Sequence, residues 1–382
     1  MKNLVWFRND LRLHDNPALS QACAKADQVV GIYIVTFKQW EEHNDSPNKI
    51  AFWFRSLIEL QKDLHKLNIP LCILKCDTYD DCPHKILEFA SANEINNLYF
   101  NIEYPVNELK RDEQVQAVLE KMGTSCFSFH DQVIHVPGSL KTKAGTNFSV
   151  YSPFKRCWLA ELDYALLEEH AIPTIKQPVS VNQQDEYDLH SYKQSNLNQD
   201  LWPVGEESIQ KMIVNFLDRK GSDYKTDRNF PGLTATSMMS PYINSGVVSS
   251  KWCLNQARAR NYDALDEGDK GLVHWISEIL WREFYRHIIY NFPRVSMGKA
   301  FQEHFEQVPW ENNQDFIEAW KHGRTGIPIV DAGMRQMIET GWMHNRLRMI
   351  VAMFLSKNLM VDWHIGEAFF MQHLIDGDIA SN

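Results

Sequence analysis

Residues 71–100 read LCILKCDTYDDCPHKILEFASANEINNLYF. Residues 71–74 are a short β-rich apolar run, residues 83–92 are an amphipathic stretch, and Leu98-Tyr99-Phe100 is a second apolar run. Strand, helix and strand at this spacing predict a parallel pair joined by a right-handed crossover. The alternation extends both ways. Leu4-Val5-Trp6-Phe7 and residues 29–35 read as strands ahead of it, residues 49–67 and 106–122 as helices, and residues 126–129 as a further strand. The fold class is therefore α/β, with an N-terminal doubly wound parallel sheet. No Gly-x-Gly-x-x-Gly follows the first strand, so a dinucleotide site there has no support.

Residues 172–200 are rich in Gln, Asn, Ser and Tyr with little hydrophobic periodicity, the composition of a long exposed connection. Beyond residue 204 the strand signature disappears, and amphipathic segments dense in Trp, Phe, Met and Leu continue to the end, so the second domain is expected to be all helical. The expected organisation is an α/β domain over 1–130, a connection over 131–203 and a helical domain over 204–382. At 382 residues, 44% hydrophobic and 23% charged, the chain has a globular composition.

The formal net charge of −10 argues against a general nucleic-acid binder, because duplex affinity comes largely from Lys and Arg meeting phosphates. Any DNA site must be a local basic patch. The apolar run at the amino terminus is too short and wrongly flanked for a signal peptide. No apolar stretch approaches the roughly 20 residues that cross a bilayer. No membrane partner and a cytoplasmic location are expected. Cysteines at 23, 72, 76, 82, 126, 157 and 253 lack zinc-like spacing and read as reduced, mostly buried thiols, with no metal.

Four segments carry chemistry. In the stretch 277–286, Glu278, Trp281, Arg282 and Tyr285 share one helical face, a plausible lining for a pocket that stacks and hydrogen-bonds a base. The structural alternative is an exposed face with an Arg-Glu pair and a half-buried Trp. In 341–349, Trp342, Asn345 and Met349 share a face flanked by Arg346 and Arg348, though a Met and Trp stripe is more often core. Asp376-Gly377-Asp378 with Asn382 is a polar cluster or an ordinary helix-ending turn. Thr236-Ser237-Met238-Met239-Ser240-Pro241, ahead of a helix, can hold a diphosphate or merely cap that helix.

In order, these segments resemble the photolyase and cryptochrome family across almost the whole chain. The stretch Trp6-Phe7-Arg8-Asn9-Asp10-Leu11-Arg12-Leu13-His14-Asp15-Asn16-Pro17-Ala18-Leu19 is similar to its amino-terminal signature. Residues 281–287, 325–332, 341–349 and 376–382 are similar to the cofactor and substrate motifs of its repair enzymes, in the class I branch that acts on cyclobutane pyrimidine dimers. The resemblance implies a helical FAD-binding domain. FAD would be held by Tyr224, Thr236, Ser237, Met238, Met239, Ser240, Arg282, Asn345, Arg348, Asp376, Gly377, Asp378 and Asn382, with Arg348 and Asp376 paired near the ring system, Asp378 accepting its N–H and Asn382 facing N5. It further implies that Trp281 stacks on a flipped-out dimer, that Glu278 and Asn345 hydrogen-bond it, that Met349 packs nearby, and that Arg228, Arg282 and Arg346 serve DNA binding.

The implied activity is a lyase reaction that repairs dimers with light and reduced FAD. Asn107 and Glu108 match positions that hold a methenyltetrahydrofolate antenna, and Trp310 and Trp363 match the outer and middle members of the family's electron-transfer chain. The implied partner is damaged DNA, bound by a monomer. A cryptochrome photoreceptor without repair activity is the alternative, which the joint presence of Glu278, Trp281 and Asn345 disfavours. Family members continue past the position of Asn382, so the helical domain is expected to be truncated there and to lack the innermost Trp. Met238 and Met297 stand where some relatives carry Arg and Lys.

Overall fold

The computed structural model describes residues 1–182 and 186–382. Strands β1 (Lys2–Phe7), β2 (Gln28–Val35), β3 (Leu71–Lys75), β4 (Asn97–Asn101) and β5 (Ser125–Phe129) form one parallel sheet in the order β3-β2-β1-β4-β5. Side chains alternate along central β1. Val5 and Phe7 enter a core shared with helices α1 (Pro17–Lys25) and α2 (Pro47–Lys66), while Leu4 and Trp6 enter a second core with α3 (Cys82–Ala92) and α4 (Val106–Glu120). Both faces of the sheet are covered, as a parallel sheet requires.

The first core does not stop at the sheet. It runs on through Tyr242, Trp275, Ile276, Ile279, Leu280 and Phe284 of the helical half, so the two halves share one continuous apolar interior.

Each strand expected from sequence is present. The short helix Phe37–Glu42 and two longer helices were not singled out there. In α1, Asn16 accepts from the Leu19 N–H at 3.1 Å and Pro17 opens the helix, but its buried face is built from small residues such as Ala18 and Ala22. The other, α5 (Tyr151–Ala160), lies between sheet and helical half with Phe154 and Trp158 buried.

The strand order reverses beside β1, where the crevice of a doubly wound sheet would hold a ligand. Here the carboxyl ends are closed by buried ion pairs, Arg8 to Asp112 at 3.0 Å and Arg111 to Glu103 at 2.8 Å.

The helical half contains α6 (Glu206–Lys220), α7 (Ser250–Arg260), α8 (Lys270–Asn291), α9 (Gln314–Lys321), α10 (Pro328–Thr340), α11 (Asn345–Met353) and α12 (Trp363–His373), with shorter turns between. Among the described residues, no helix is long and apolar enough to cross a membrane.

Candidate active site

Helix α8 is the spine of the site. Asp269 caps it by accepting from the Gly271 and Leu272 N–H groups at 2.8 and 2.9 Å. Gly271 lies so close to the carbonyls of Gly221 and Ser222 that a Cβ would collide with them. That contact seats the helix against the turn Tyr224–Asp227 and hence against Arg228.

Three groups leave α8 along one face. Glu278 forms a short ion pair with Arg228, which also hydrogen-bonds the His274 ring at 2.7 Å. Arg228 is buried, so its guanidinium faces this carboxylate rather than solvent. Burial pushes Glu278 above the ordinary carboxylate range, with Arg228 and Arg346 opposing. One turn on, Trp281 lies flat on Tyr151, centroids 3.7 Å apart and planes 11° apart, and also stacks on Tyr285 at 5.6 Å.

The third group is cationic. Arg282 donates to the Gln132 carbonyl at 2.8 Å and, among the described residues, makes no ion pair. Burial, reinforced by Arg286, pulls it down to about 9. Arg286 is the residue the sequence reading missed. It donates to both carboxylate oxygens of Asp378 at 2.8 Å and reaches Asn244 at 3.4 Å. The helical face had been followed to Tyr285, and one further step to the residue four beyond Arg282 would have reached it.

Asp378 arrives from the turn after α12. That turn is pinned where the Ile375 N–H donates to the Gly341 carbonyl at 2.8 Å and the Asn244 amide donates to the Gly377 carbonyl at 3.1 Å. The same turn brings Asp376 to Arg348, which donates to both its oxygens at 2.8 and 2.9 Å. An ordinary helix-ending turn does not carry two arginine pairs. Burial works to raise Asp378, but Arg286 overrides it and holds the carboxyl at about 2.

Ser237 and Ser240 accept from the indole N–H groups of Trp275 and Trp342 at 3.2 and 3.3 Å. No side chain caps the short helix Ser240–Asn244, so plain capping does not account for this segment. Met238 has φ of 51°, Met239 and Tyr224 are buried, and Thr236 is half-buried. At the rim, Asn345 and Met349 are exposed and Arg346 reaches Asn229 at 2.7 and 3.1 Å. Asn382 is exposed, its backbone N–H donating to the Asp378 carbonyl at 3.0 Å. Trp310 and Trp363 are half-buried, with Trp363 stacked on His364 at 3.7 Å.

A second cluster lies on the α/β half. Asn107 contacts the His43 ring at 3.0 Å, and Glu108 accepts from the Tyr79 hydroxyl at 3.4 Å. Oε2 of Glu108 is buried without a partner. Burial, aided by Glu103 and opposed by Arg111, pushes this carboxyl up to about 7.

These residues fit a flavin dinucleotide. Arg282 is a largely desolvated cation that lacks an anion, the complement of a diphosphate. The serine hydroxyls keep their own protons for donation, and two carboxylates are already neutralised by arginine.

The fold and site define a class, an α/β domain joined to a helical domain whose residues fit a flavin. The family model described as DNA photolyase matches residues 3–177, and the one described as FAD binding domain of DNA photolyase matches residues 275–382. This chain belongs to the DNA photolyase family. It is 39% identical to a deoxyribodipyrimidine photo-lyase of Buchnera aphidicola, over all of this chain and 79% of the relative, and 38% identical to that of Escherichia coli, over all of this chain and 80% of the relative. A class III photolyase of Agrobacterium tumefaciens superposes with a TM-score of 0.89 at 30% identity, over all of this chain and 77% of that one. A Synechocystis cryptochrome shares the fold, with a TM-score of 0.88 at 24% identity over 80% of its chain.

Proposed function

We propose that this protein repairs cyclobutane pyrimidine dimers in DNA, driven by light and reduced FAD. The observation that carries this is the face of α8, where the Glu278 and Trp281 substrate face runs within one turn into the Arg282 and Arg286 cofactor face. When bound, reduced FAD supplies the photoexcited electron that splits the dimer. Arg282, Ser237 and Ser240 are read as diphosphate ligands, and Asp376 and Asp378, oriented by Arg348 and Arg286, as acceptors for the ring system, with Tyr224, Thr236, Met238, Met239, Gly377 and Asn382 lining it.

Glu278 is read as the group that, in the protonated form burial favours, donates a hydrogen bond to the dimer carbonyl, where negative charge develops. Arg228 acts through Glu278 as a positioning residue, since it is buried against that carboxylate. Asn345 and Met349 form the rim that meets the extruded bases. The damaged pair stacks poorly, which lowers the cost of flipping it out.

Trp281→Ala is expected to weaken binding of a dimer-containing oligonucleotide by about 5- to 160-fold, the 1–3 kcal/mol of one base-aromatic stack. Trp281→Phe should recover part of it. Because Tyr151 already covers one face of the indole, a base must use the other face or displace Tyr151. Fluorescence anisotropy with damaged and undamaged strands decides this, and an equal loss on both would remove Trp281 from lesion recognition. Arg346→Glu should lower affinity for every sequence and reduce the salt slope by about 1, as expected for a phosphate contact. An unchanged slope would rule that contact out.

Asn107 and Glu108 are read as ligands of a methenyltetrahydrofolate antenna, the unpartnered Glu108 oxygen being the acceptor for a pterin N–H. Trp310 and Trp363 are read as electron carriers to the flavin. A cytoplasmic monomer is the expected working form, checked by light scattering. The function is tested by illuminating purified protein, FAD and a dimer-containing oligonucleotide under reducing conditions. Loss of dimers supports repair. Bound flavin without repair supports the cryptochrome alternative.

A further inference from the structure

Cys76 and Cys82 lie with their sulfurs 3.6 Å apart, at the end of β3 and the start of α3. Both thiols point at the Thr78 carbonyl, at 3.4 and 3.7 Å. The intervening turn is held by Asp81, whose Oδ2 accepts from the Thr78 N–H at 2.8 Å and from its hydroxyl at 2.9 Å. Among the described residues, no other cysteine pair is within hydrogen-bonding distance. We infer that Cys76 and Cys82 form a reversible dithiol–disulfide site, oxidised by hydrogen peroxide.

The two positions differ in a useful way. Cys82 is the first residue of an eleven-residue helix, where backbone N–H groups favour a thiolate. The hydrogen bond from Cys76 holds the Cys82 thiol below its ordinary value, and Arg111 adds to this against burial. Cys82 is buried, whereas Cys76 is partly exposed and opens the pair to solvent. The peroxide O–O bond breaks as one sulfur is oxidised to a sulfenic acid with release of water. The second sulfur then attacks it, forming the S–S bond and expelling a second water. Two thiols and one peroxide thus give one disulfide and two waters.

Closing the gap to the roughly 2 Å of an S–S bond draws β3 and α3 together across this turn. Tyr79 sits within it, its ring 4.6 Å from the Arg111 guanidinium and edge-on to His43 at 5.6 Å, its hydroxyl on Glu108. Oxidation therefore disturbs the contacts around Glu108, a consequence that bears on the antenna only if the folate reading holds.

The disulfide itself is tested without folate. Trypsin cleavage after Lys75 and Lys85 leaves both cysteines in one peptide. Full-length protein is treated with a slight excess of hydrogen peroxide, denatured, alkylated, digested and weighed. The expected result is that this peptide takes no alkyl group and is lighter by two hydrogens, that dithiothreitol restores two alkylation sites, and that Cys76→Ser instead leaves Cys82 as a sulfenic or sulfinic acid. The inference is overturned if the peptide takes two alkyl groups at a dose that oxidises the partly exposed Cys157, or if Cys76 is over-oxidised while Cys82 stays free. The wild-type peptide decides the matter even if the serine variant fails to fold.

Discussion

Arg286→Ala is expected to destabilise the folded protein by about 3–5 kcal/mol, the cost of leaving a buried carboxylate without its partner. Arg286 and Asp378 keep side-chain exposures of only 7% and 14%, so water cannot replace the lost guanidinium. The pair also has a signature in pH. Asp378 is depressed to about 2 in the folded state from an ordinary value of 3.8, so its stabilising contribution is full above the ordinary value and fades as pH falls through the folded one. In the variant, burial acts unopposed by Arg286 and raises the carboxyl. The stability gap between wild type and variant should therefore be widest near neutrality and close in acid. Arg286→Met with Asp378→Leu removes both charges and should recover much of the loss. Urea unfolding across pH, with and without added FAD, reads all three proteins. A gap below about 1 kcal/mol, or one independent of pH, would mean that Asp378 is solvated and the pair does not support the site.

The second large effect runs the opposite way with pH. Glu108 is raised from 4.5 to about 7, by burial first and then by Glu103, so the folded protein holds this proton more tightly than the unfolded chain. Its contribution is harmless below the unfolded value and becomes a penalty as pH rises through the folded one. Between those limits the share of wild-type stability that Glu108 controls should fall by about 3 kcal/mol, the product of the shift and 1.36 kcal/mol per pH unit. Glu108→Gln keeps the shape and removes the titration. Relative to wild type, its stability should gain by that amount over this range and exceed wild type at alkaline pH, because Glu206 and Glu283, also raised to about 7, titrate alike in both proteins. Parallel curves for the two proteins would show that Glu108 reaches water and that its unpartnered oxygen is not poised for a ligand.

Much of the fold was legible because its signals are local. Runs such as Leu4-Val5-Trp6-Phe7 are apolar on both faces, and a strand buried on both sides of a parallel sheet must be. The helix Pro17–Lys25 escaped notice because its buried positions are mostly small residues with a weak apolar stripe. The grouping of Glu278, Trp281 and Arg282 followed from helical periodicity, which needs no knowledge of the rest of the molecule.

Apart from Arg348 with Asp376, which the family resemblance implied, partnership was not legible in this way. Glu278 pairs with Arg228 fifty residues earlier, and Arg286 with Asp378 ninety-two residues later. The sequence reading gave Arg228 a part in DNA binding, and nothing in it pointed to the carboxylate against which packing buries this residue. Tyr151, which covers Trp281, comes from a helix inside the expected connection. Even the nearby Cys76 and Cys82 fit no spacing rule, because the capped turn between them decides where the sulfurs point. By itself the sequence determined the period of each segment, and with it the strands, most helices and the residues sharing a helical face. Only the tertiary structure decided which charge meets which, and how deeply, because the energy of a charged pair depends on through-space distance and on the water removed around it.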